Sequence, residues 1–171
     1  GDAELHIPSS LAGDLSLFAS FGPHEADAFV RACYWYALGV QFKTEPAVST
    51  VAFSTAIECL LPKNKRTPCK ECGKPIGLGP TQLFNRHIKR YGTVIPALEG
   101  QRKALYGARS ALVHGTHASR VDIAFFSAQR HAQDHLLLLQ IVCERSLINW
   151  LRDPNRSDWL AVTEKVHNHA V

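Results

Sequence analysis

Stretches with apolar residues at helical spacing follow prolines at positions 23, 46, 80 and 96, and a proline at 154 follows a further, longer stretch. Proline suits the first turn of a helix, where its missing N–H has no partner to lose, and it stops a helix that runs into it. The punctuation predicts a helix from just after Pro23 to about Phe42, with Phe29, Val30, Cys33, Tyr36 and Val40 on its apolar positions. A second runs from near Pro46 to Leu61, where Pro62 stops it. A third runs from Pro80 to Tyr91 with Gly92 after it, and a fourth from about Pro96 to His114. The longest spans roughly 121–151 and ends at Asp153–Pro154, and a last short helix is expected over 157–166. No segment alternates as a strand does, so the sequence predicts an all-α fold.

With 171 residues, 46% of them hydrophobic and 20% charged, the chain can bury a core as one domain. Residues 1–22, with Pro8, Gly13 and Gly22 among mixed side chains, read as a connecting segment, and 23–171 as the helical domain. Residues 62–79, "PKNKRTPCKECGKPIGLG", have no apolar period and read as a loop inserted between helices. No apolar run is long enough to cross a bilayer, and no signal peptide opens the chain. The chain begins with glycine and contains no Met, which predicts a piece excised from a longer parent with an upstream domain. Five unevenly spaced cysteines suggest a reduced, cytoplasmic protein. The net charge of +4 is compatible with a phosphate backbone as partner and does not require one.

The chemistry of interest closes the fourth helix, in "RSALVHG". Leu98, Leu105 and Leu112 form its seam, and Arg109 lies about 40° from Leu105, on that apolar stripe. A guanidinium there needs a partner. Glu58, about 20° from Val51 on the second helix, is likewise an acid on an apolar stripe, and the two are best explained by each other. Breaking such a pair, if buried, would cost roughly 3–5 kcal/mol. His114 lies about 140° from Arg109 on a regular helix, too far round for one pocket. Either the last turn is distorted, or two copies of the chain related by a two-fold axis complete one site. Spacing alone also leaves a plain helix stop open, since histidine before glycine is favourable at a helix C-terminus.

"LYGARSALVHG", following a helix with "FSTAIECLLP" and preceding a long leucine-rich helix, resembles the HEPN family, most closely its Apea-like branch, over roughly residues 24–151. The resemblance implies an α-helical bundle that dimerises and a metal-independent endoribonuclease of toxin or antiphage defence type. It places Arg109 and His114 from two protomers in a shared cleft, with Ser110 as the polar residue after the arginine. The residue chemistry agrees: histidine can move a proton near neutral pH, and arginine can grip a phosphate through two N–H groups. On the same helix Lys103 is a candidate RNA contact, and Tyr106 either stacks a base or simply packs. The alternative is a non-catalytic helical module that binds RNA, nucleotide or protein within a larger sensor or effector.

"PCKECGKP" holds Cys69 and Cys72 in C-x2-C, half of a zinc knuckle, and His87 on the next helix is the best third ligand in range. No cofactor is expected for catalysis; a zinc here would be structural. The other reading is an exposed, reduced pair of thiols. Cys33, Cys59 and Cys143 fall on apolar helical faces as small hydrophobes. His131 and His135 read as helix surface, and His167 and His169 receive no role.

Overall fold

The structure, a computed structural model, describes residues 7–62, 67–68, 75–92, 99–114 and 129–156. They form α1 (Leu11–Ala19), α2 (Pro23–Gln41), α3 (Pro46–Cys59), α4 (Pro80–Tyr91), α5 (Glu99–Val113) and α6 (Gln129–Arg152). The fold is all-α. Among the described residues the one strand pairing is a two-residue antiparallel ladder, β1 (Thr67–Pro68) with β2 (Pro75–Ile76), inside the expected loop. Gly77 follows it at φ 119°, a left-handed backbone that suits glycine.

Three helices begin at prolines, as the sequence predicts. Gly22 and Gly79 hold extended backbone just before two of them, the conformation that proline imposes on its predecessor. At the α4 start the Gly79 N–H also donates to the Gln82 side chain at 2.8 Å. The expected helix starting near Pro96 is described from Glu99, and the long one from Gln129. The expected helix over 157–166 lies outside the described residues.

α2 and α3 form a tight antiparallel hairpin. The buried Ser49 hydroxyl, with one proton to donate, lies within hydrogen-bond reach of two α2-end carbonyls, Gly39 O at 2.8 Å and Phe42 O at 2.7 Å. A helix end leaves its last carbonyls short of intrahelical donors, and Phe42 O also accepts the Glu45 N–H at 2.8 Å. The Phe53 ring lies where a Gly39 side chain would stand: a Cβ there would be 2.6 Å from two ring atoms. α6 packs across α2, α3 and α4. The core runs through Phe53, Ile57, Phe84, Ile88, Leu139, Val142 and Cys143, all essentially closed to solvent.

Residues 11–19 depart from the expected connecting segment by forming a helix. Asp14 accepts two hydrogen bonds from Arg152 at the end of α6, both 2.7 Å. Phe18 adds its ring to a cluster with Phe21 and Phe29. Glycine at position 13 and the lack of any buried residue in α1 hide this helix from a periodicity search. At the opposite end of α4, the Asp153 carboxylate accepts from Arg90 and from the Tyr91 hydroxyl, both at 2.7 Å, fastening α4 to the close of α6.

Candidate active site

α3 and α5 lie side by side, and the acid and base expected to find each other do so. Arg109 donates from Nη2 to Glu58 Oε2 at 2.8 Å. Both side chains are three-quarters covered, at 21% and 24% exposure. The pair is therefore largely but not fully buried, and the cost of breaking it falls below the range for a fully buried pair. Burial pushes the Glu58 carboxyl above its ordinary range, and the adjacent guanidinium only partly offsets that. Arg109 Nε is buried with no hydrogen-bond partner among the described residues. A guanidinium carries five N–H donors, so the bond to Glu58 leaves others for a phosphate.

Tyr106 sits one turn before Arg109, whose guanidinium carbon is 6.0 Å from the tyrosine ring centre. The same ring packs on Phe84 of α4, centroid to centroid 5.0 Å. That contact gives Tyr106 a packing place; its partner Phe84 lies on another helix and no local pattern announces it.

α5 is regular to its end. The His114 N–H bonds to the Ser110 carbonyl at 3.0 Å, an unbroken i to i−4 step. A distorted last turn is thus removed as a way of bringing Arg109 and His114 together in one chain. His114 is exposed, Ser110 half-buried, and Arg109 faces α3. The side chain of Lys103 lies outside the described residues.

The C-x2-C pair, Cys69 and Cys72, also lies outside the described residues, between the two strands of the short ladder in the chain. His87 is fully buried in α4, with its ring centre 4.8 Å from that of Tyr91. Burial pulls its pKa down to about 3, so the imidazole is neutral. Among the described residues no group of three or more His, Cys, Asp or Glu side chains is placed to hold a metal ion. Cys33, Cys59 and Cys143 are free thiols, and burial raises the pKa values of Cys59 and Cys143, the unreactive state for a cysteine. Of these Cys143 is fully buried, whereas Cys33 is exposed. His135 is exposed on α6, in line with a helix surface; the His131 side chain lies outside the described residues.

No helix among the described residues is long and apolar enough to cross a membrane. No family model, no curated protein and no solved structure matches this chain.

Proposed function

We propose that this chain is a HEPN-type bundle acting as a metal-independent endoribonuclease of toxin or antiphage defence type, with each site built from two copies. The observation that carries the reading is the regular end of α5. In one chain a partly buried Arg109 lies against α3 while His114 is exposed at the helix end, which supports a site shared between two chains.

In this scheme His114 of one copy takes the proton from a ribose 2′-hydroxyl, whose oxygen attacks the adjacent phosphorus. The bond to the 5′-oxygen breaks, and that oxygen leaves with a proton taken from water. Arg109 of the other copy holds the phosphate oxygens and steadies their growing charge, held in place by Glu58. Ser110, four residues before His114, orients the imidazole. The products are a 2′,3′-cyclic phosphate and a 5′-hydroxyl.

A structural zinc on Cys69 and Cys72 belongs to the same proposal, since a short ladder flanking C-x2-C is the way a knuckle is closed. Metal analysis should find zinc in the purified chain and lose it in Cys69→Ser.

The alternative of a non-catalytic module draws support from one feature: Glu58 already neutralises Arg109. Cleavage of a mixed RNA pool in EDTA separates the two, with circular dichroism verifying that chelation leaves the helices intact. The nuclease reading expects cyclic-phosphate ends from the wild type and none from His114→Ala. Equal behaviour of two folded proteins would leave the binding module.

A further inference from the structure

A cavity of about 300 Å³ lies where the start of α2 meets the ends of α3 and α6. That is the size at which small-molecule pockets begin, and the space between the helices of a bundle is a place where they form. Leu60 at the α3 end and Trp150 of α6 give it apolar wall, and Glu25, Asp27, Arg31 and Arg156 bring charges to it. The α3 part of the wall starts at Cys59, the residue after Glu58, so the cavity shares the end of α3 with the Arg109–Glu58 pair. The arginines and carboxylates cancel in pairs. Arg31 meets Asp27 at 2.9 Å, one turn away on α2, and both side chains are more than half exposed. Arg156 meets Glu25 at 3.3 Å and stands 3.8 Å from the Phe21 ring centre. The Trp150 indole N–H is buried with no hydrogen-bond partner among the described residues, which is uncommon in a packed core.

We propose that this cavity binds a guanine base. Balanced pairs of charge favour neither a bare cation nor a bare anion. They set N–H donors beside carboxylate acceptors around an apolar wall, which suits a flat heterocycle with polar edges. Of the four RNA bases only guanine has N–H donors on two neighbouring nitrogens, N1 and N2, for the two oxygens of a carboxylate. It also has two acceptors, O6 and N7, for the fork of a guanidinium. A carboxylate oxygen accepts more than one hydrogen bond, and a guanidinium has five N–H groups, so the contact between Asp27 and Arg31 closes neither to a ligand. Arg156 adds a plane of the kind on which bases stack. The base comes from a guanosine of single-stranded RNA, where unstacked bases are open to be read. That source rests on the RNA-cleaving reading above; the base chemistry does not, and a free guanine nucleotide presents the same edges.

The test is isothermal titration calorimetry with GMP, AMP, CMP and UMP, and with 2′-O-methyl oligonucleotides, which cannot be cleaved, carrying one guanine or none. The wild type is compared with Asp27→Asn and Arg31→Gln, both at exposed positions where substitution leaves the fold intact. The guanine ligand should bind better than its competitors in at least one set, and each substitution should weaken it about 10-fold or more. Guanine preference among the oligonucleotides makes RNA the source. Preference for GMP with oligonucleotides that bind alike makes it a free nucleotide. No preference for guanine in either set overturns the inference, as does full-strength binding by either variant. Guanine binding by a chain that never cleaves RNA keeps this site and removes the nuclease. Cleavage that ignores guanine and both substitutions does the reverse.

Discussion

Arg109 and Glu58, 51 residues apart in the chain, meet at 2.8 Å and join α5 to α3 where each helix puts a charge on an apolar stripe. The bond fixes the direction of the guanidinium. It also withholds part of its charge, so the same contact positions Arg109 and restrains it.

Substitutions at Glu58 separate these effects. The raised carboxyl pKa means that the folded chain holds this proton more tightly than the unfolded chain does. The contribution of Glu58 to stability is therefore greatest at acid pH and falls as pH rises through the raised value. Glu58→Gln, which keeps an acceptor for Arg109 without the buried charge, should leave stability at neutral pH unchanged or slightly higher. Glu58→Leu removes the acceptor and should cost about 1–3 kcal/mol. Urea titrations at pH 7 check both; a Gln variant as damaged as the Leu variant would show that the charge itself is required.

His87 gives a pH dependence of opposite sign. Its pKa falls from 6.5 to about 3 on burial, so below pH 6.5 the unfolded chain takes up a proton that the folded chain refuses. Its share of stability is complete above pH 6.5 and is lost as pH falls towards 3. His87→Leu, close in size, should flatten the stability curve between about pH 6.5 and 5, above the range where most carboxylates titrate. Thermal melts across that interval read the slope directly, and identical slopes for the two proteins would count against a buried neutral imidazole.

Two glycines should respond in opposite directions. Gly39→Ala drives a methyl into the Phe53 ring and should destabilise the chain by about 1–3 kcal/mol. Gly13 stands in α1 with open space where a side chain would go, so Gly13→Ala should raise stability by roughly 0.5–1 kcal/mol. Chemical denaturation of the two variants measures both signs.

Much of this was legible in the sequence because it is written in short-range rules. Pro23, Pro46 and Pro80 mark helix starts through chemistry confined to one turn. The Arg109–Glu58 pair could be inferred because a charge on an apolar stripe demands a counter-charge on a neighbouring stripe. α1 was not legible: none of its residues is buried, and it is tied down by Arg152, 138 residues from Asp14. The Tyr106–Phe84 contact was hidden for the same reason: it depends on how helices sit against one another, which no spacing within a single helix encodes.

The central claim is that Arg109 and His114 act across two chains, and mixing two inactive variants tests it most directly. Arg109→Ala and His114→Ala, each unable to cleave RNA alone, are unfolded together and refolded at equal concentration. Half of the dimers should then be mixed, and each mixed dimer holds one intact site of two, so about a quarter of wild-type activity should return. Mixed dimers that form without any recovery of cleavage would contradict a shared site.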